Sequence, residues 1–124
     1  MSTLNVSNIS DGTTSVGTGY VVNGSAKAWV NLNQVGTISI FDSFNVSGIT
    51  DSGTGLTDIG LSSSMSNTGF ALSITRQDTS VNNDSTGFDG LNQKTVSNIR
   101  FVSIENATLS DSNNAHCIVQ GDLA

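Results

Sequence analysis

Apolar side chains in this chain recur at every second position in short runs, and no window carries them at the i, i+3, i+4, i+7 spacing of an amphipathic helix. Period two turns one face of a run toward a core and the other away from it, which is the pattern of antiparallel strands. Ala26, Ala28, Val30 and Leu32 alternate with Lys27, Trp29 and Asn31, and Ile38, Ile40 and Asp42 alternate with Thr37, Ser39 and Phe41. Further runs cover residues 44–50, 56–61, 70–74, 99–104 and 115–121. Turn-forming residues separate them: Asn33-Gln34-Val35-Gly36, Asp51-Ser52-Gly53-Thr54-Gly55, Ser66-Asn67-Thr68-Gly69 and Asp111-Ser112-Asn113-Asn114. The chain of 124 residues has the length of one domain. The expectation is therefore an all-β domain over residues 25–124, an antiparallel, jelly-roll-like β-sandwich of about seven strands, preceded by a short arm over residues 1–24.

Composition narrows the function. Charged residues make up 11% of the chain, against roughly 25% in an average soluble protein. Four Lys and Arg face ten Asp and Glu, for a net charge of −6. No basic stripe can be assembled, which excludes nucleic acid and anionic membrane as partners, and no apolar run is long enough to insert in a bilayer. The first residues lack the charged and apolar regions of a secretory leader, so none is expected. A polar chain of this kind raises the prospect of disorder, but its alternation is too regular for that.

The arm contains Leu4, Val6 and Ile9, the makings of one short strand, then a Gly/Ser/Thr run from Gly12 to Gly19. It reads either as an attachment or oligomer-registration arm or as a frayed terminus. Residues 78–90 form the longest loop, with Asn82, Asn83, Asp84, Phe88 and Asp89 as the exposed residues for a receptor or glycan contact. Trp29, the only Trp, stands out of phase with Ala28 and Val30. It is either packed under a neighbouring subunit or an exposed aromatic for stacking on a sugar. Sheet edges in monomers are usually guarded by Lys or Pro. This chain has no Pro and few bases, so neighbouring subunits, a bulge or a covering loop must do that work.

No catalytic, cofactor or metal site emerges. His116 and Cys117 are adjacent, so a strand sends them to opposite faces and they make no nucleophile–base pair. Gly12 to Thr18 lacks the Lys and the strand–helix setting of a phosphate loop. Asp84 and Asp89 do not have the spacing of a twelve-residue calcium loop. A single Cys permits no internal disulfide.

The segment Ala26-Lys27-Ala28-Trp29-Val30-Asn31-Leu32-Asn33, with Gly36-Thr37-Ile38-Ser39-Ile40 and Asp42-Ser43-Phe44-Asn45-Val46-Ser47-Gly48-Ile49-Thr50-Asp51, resembles tail-fibre-like virion proteins of marine and cyanobacterial bacteriophages. The closing Val119-Gln120-Gly121-Asp122-Leu123-Ala124 and the opening Met1-Ser2-Thr3-Leu4 are similar to the ends of that group. Leu32 stands in place of a usual Phe, Gln34-Val35 in place of a Gly-Thr turn, and Ser66 in place of a frequent Pro. The resemblance implies a non-enzymatic virion structural protein, tail-fibre-like, forming a homotrimer and touching other virion proteins and host surface glycan. Two other readings stand beside it: a capsid-decorating knob or spike, and a carbohydrate-binding module.

Overall fold

The computed structural model describes residues 1–77, 84–88 and 94–124. The arm holds a small hairpin, β1 (Asn8–Ser10) and β2 (Ser15–Gly17), and one helix, α1 (Thr18–Gly24). The body follows as β3 (Ala26–Asn33), β4 (Ser39–Phe44), β5 (Val46–Gly53), β6 (Leu56–Leu61), β7 (Ala71–Arg76), β8 (Asp84–Phe88), β9 (Asn98–Glu105), β10 (Thr108–Leu109) and β11 (Ala115–Gln120). Every strand pairing among the described residues is antiparallel.

Two sheets form a sandwich. One has the order β4-β3-β11-β7, the other β5-β6-β9 with β8 on the far side of β9. The short β10 pairs with the end of β9 beyond β6. Alternation places Ala28, Val30 and Leu32 of β3 and Ala115, Cys117 and Val119 of β11 against Ile59 and Leu61 of β6 and Ile99 and Phe101 of β9. Met65 and Phe70, on the crossing from β6 to β7, close one flank of this core. The strand order does not establish a jelly-roll wrapping, since β3–β4 and β5–β6 pair as hairpins within one sheet and β8 pairs with β9.

All seven expected strands are present, the short β10 is added to them, and three further differences stand out. Residues 84–88, expected in a loop, form β8, whose pairing partner β9 offers an open edge. Phe44 ends β4 rather than opening β5, because Asn45 breaks the run in a left-handed conformation, φ 55°. Asn tolerates that region well, and here its side chain makes the corner between the sheets. Asn45 Nδ2 donates to Lys27 O at 2.9 Å, and Asn45 Oδ1 accepts from Ser63 N at 2.7 Å. The alternation of β4 also changes phase at a bulge, where Phe41 is extra between Ile40 and Asp42, so Asp42 faces out instead of sharing the face of Ile40.

Gln34 lies in the expected first turn yet is only 2% exposed. Its amide donates to Thr57 Oγ1 at 3.1 Å and accepts from Ser112 N at 3.1 Å, while Gln34 N donates to Ser112 O at 2.8 Å. Ser112 Oγ in turn donates to Gln77 O at 3.0 Å. One buried polar junction thus ties four segments at one end of the sandwich. Gly55 beside it has φ +70°, and a Cβ there would fall 2.5 Å from Ser103 O, so the β5–β6 turn requires glycine.

The β9–β10 hairpin turns through Asn106 and Ala107, with φ 50° and 61°. Two positive φ values define a type I′ turn, for which Asn-Gly is the preferred pair. Ala107 therefore carries left-handed strain that glycine would not. Ala107→Gly is expected to stabilise the protein by about 0.5–1 kcal/mol, read as a higher urea midpoint at unchanged slope; a lower midpoint would refute the strained-turn assignment.

Candidate functional site

β3 and β11 lie at the centre of their sheet, so the side chains that point away from the core form an outer face. In-register pairing sets Phe44, Trp29, Ile118 and Ser73 side by side in one row across all four strands. Asp42, Asn31, His116 and Thr75 form the next row. Trp29 is half-buried between Phe44, which is 56% exposed, and Ile118, which is 43% exposed. The row is thus a Phe–Trp–Ile ridge with amide, imidazole and carboxylate groups along one side.

The arm supplies a second apolar surface. None of the residues of α1 is buried, and every residue of β1 is exposed. Leu4 is 83% and Tyr20 81% exposed, and Val6, Ile9, Val16, Val21 and Val22 are exposed as well. The strand expected around Leu4, Val6 and Ile9 is confined to Asn8–Ser10, and Leu4 and Val6 precede it. The Gly/Ser/Thr run from Gly12 to Gly19 forms the rest of the hairpin and the start of the helix. Local hydrogen bonds explain this: Asp11 Oδ1 accepts from Thr13 N at 2.9 Å and Thr14 N at 2.7 Å, and Thr18 N donates to Ser7 O at 2.9 Å. The two amides from Thr14 and Thr13 hold the Asp11 carboxyl below its ordinary range.

Lys27 joins arm to body. Buried at the start of β3, its ammonium donates to Val22 O, to Ser25 O at 3.0 Å and to Ser25 Oγ at 2.9 Å. A cation at the last carbonyls of a helix is favourable on hydrogen-bonding and dipole grounds alike. Gln120 Nε2 adds a bond to Gly24 O at 3.0 Å. A groove of about 470 Å³ runs beside this joint, between Val22, Ala26, Phe44 and Leu123. A smaller polar cavity of about 230 Å³ at the other end is lined by Arg76, Glu105, Asp111 and Asn113.

Among the described residues, those singled out from sequence do not converge. Trp29 belongs to one sheet, and Asp84 and Phe88 are the two ends of β8 in the other. Asn82, Asn83 and Asp89 lie outside the described residues. Phe44 and Ile118, which flank Trp29, escaped sequence reading because their register depends on the Phe41 bulge and on the non-local pairing of β3 with β11. His116 and Cys117 face opposite ways as expected: His116 on the outer row, Cys117 in the core, where burial pushes its thiol up to about 12. Such a thiol is protonated and inert at neutral pH.

On the outer face of the second sheet, Arg100 grips Asp58 directly opposite it with two bonds of 2.7 Å, and Ser52 Oγ donates to the same carboxylate at 2.6 Å. The Arg100 guanidinium, helped by Ser52, holds Asp58 below the usual carboxylate range despite partial burial. A depressed folded pKa gives stability that is complete above the unfolded value of about 3.9 and lost as pH falls through the lower folded value. Asp58→Asn is expected to cost about 1 kcal/mol at neutral pH, with the gap to wild type closing on acidification below about pH 4. Urea unfolding across that range checks it, and a gap that widens toward acid would contradict the pairing. Compared with protein-family models, curated proteins and solved structures, the sequence and the fold match none of them.

Proposed function

We propose that this protein is a non-enzymatic structural component of a bacteriophage particle, tail-fibre-like, which assembles through its arm and displays its sandwich toward the host surface. The observation that carries the assembly reading is the arm itself. A hairpin of three-residue strands and a seven-residue helix are marginal on their own, and here neither buries its apolar side chains against the body. Partner surface would supply the missing burial. The assignment to a phage particle, and the preference for a homotrimer with other virion proteins as neighbours, rest on the resemblance of residues 26–51 and 119–124. That resemblance fits a capsid-decorating knob or spike as well.

A second reading is favoured by one feature. Trp29 and Phe44 present ring surface beside Asn31, His116 and Asp42, and aromatic faces with neighbouring amides suit sugar recognition. In that reading the outer row is a glycan-binding platform.

Light scattering of the purified protein is expected to give a multiple of 12.8 kDa, threefold for a trimer. A well-folded monomer at all concentrations would sink the assembly reading. Immunogold labelling of phage particles then places the protein: label on the tail supports the fibre, label on the head the decoration protein, and no label on any particle removes the virion assignment.

A further inference from the structure

The two apolar surfaces of this chain are alike in kind, and both stay exposed within one copy. The arm meets the body through its last residues, where Lys27 holds Val22 and Ser25 and Gln120 holds Gly24. Its hairpin carries Ile9 and Val16 as cross-strand partners, so both project from the same hairpin face. We propose that this face of one copy packs on the Phe44–Trp29–Ile118 row of a second copy, so that each arm covers its neighbour's outer sheet face. The proposal rests on the assembly reading above and names the surfaces that make it.

For a second copy as the occupant, the charge distribution favours these two patches over contacts elsewhere on the body. Asp11 is the only charged side chain in residues 1–24, so five of the six net negative charges sit on residues 25–124. Two such bodies repel one another wherever their acidic surfaces approach. The row from Phe44 to Ser73 contains no charged residue, and neither does the Ile9–Val16 pair with its neighbours Asn8, Gly17, Ser10 and Ser15. These neutral patches offer a contact in which association buries apolar area without adding repulsion. Geometry agrees: Val22 of the chain's own arm and Phe44 of the row line the same groove, so an incoming arm on the row would lie next to the resident one. Donor and acceptor patches differ, so the contact forms either reciprocally across a two-fold axis or head-to-tail, and head-to-tail contacts close into rings when the rotation between copies permits.

Single-cysteine pairing tests this directly in the full-length protein, since the native Cys117 is buried and does not compete. Val16→Cys and Ile118→Cys proteins, mixed and oxidised with oxidised glutathione, are expected to give a mixed disulfide dimer at several times the yield of either protein alone. Val16→Asp and Ile118→Asp are each expected to weaken association at least tenfold, with near-ultraviolet circular dichroism unchanged. Trp29 emission, the signal of the only Trp, is expected to move to shorter wavelength on self-association and to stop doing so in both Asp variants. If Ile118→Asp weakens association and Val16→Asp does not, the rows meet each other and the arm proposal is overturned. If neither does and the oligomer persists, assembly stands on another surface and only this inference fails. A monomer whose Trp29 emission responds to a soluble polysaccharide such as alginate overturns both in favour of the glycan platform.

Discussion

The sandwich depends on one constraint: β3 and β11 must bury their Ala, Val, Leu and Cys side chains against Ile59, Leu61, Ile99 and Phe101 of the opposing strands. Strand period makes that an all-or-none requirement, because a slip of one residue would carry the whole apolar set to the outer face. Two polar devices hold the register. Gln34 couples the β3–β4 turn to the β10–β11 loop at one end of the core, and Asn45 couples β3 to the exit of β6 near the other. Both are amides that donate and accept at once, so each satisfies backbone and side-chain groups on two segments without bringing charge into the interior.

The edges of the sheets are managed without the usual charged residues. β4 is bulged at Phe41, and β5 pairs with β6 through two irregularities, at Ser47 and Ser52. Bulges twist an edge away from regular pairing and spoil it as a template for another strand. The scarcity of Lys and the lack of Pro therefore do not by themselves call for neighbouring subunits at these edges. Exposed apolar surface of the chain lies instead on the arm and on the Phe44–Trp29–Ile118 row. At these two edges, then, it is the sheet face and the arm, more than the strand edge, that offer apolar surface to a partner.

Strand identity was legible wherever local pattern carried it. Leu56–Leu61 and the stretch from Ile99 to Ser103 alternate in sequence as they do in the fold, because each is a strand with one buried face. What escaped was non-local. Asp84–Phe88 has little apolar signal of its own and becomes a strand through the edge that β9 offers it. Gln34 looks like any turn residue until Ser112 and Thr57 arrive from distant sequence to bind it. The helix from Thr18 to Gly24 has two glycines, no side-chain N-cap and no buried face, so neither propensity nor periodicity announces it. The outer row is a product of three registers, and only Trp29, the sole Trp and out of phase with Ala28 and Val30, is conspicuous in the sequence.

The junction at Lys27 has a further consequence. The ammonium that clasps the final carbonyls of the arm's helix belongs to a residue inside β3, whose alternate side chains are embedded in the core. The direction in which the arm leaves is thereby geared to the sandwich and not left to a swivelling linker. In any assembly where one molecule reaches the next through this arm, that angle acts as the symmetry operator. It is repeated identically at every contact, and its value decides whether successive copies return to the starting point after a whole number of steps or spiral past it. A single lysine beside the one-residue connection at Ser25 would then act as the selector between a closed ring and a growing filament.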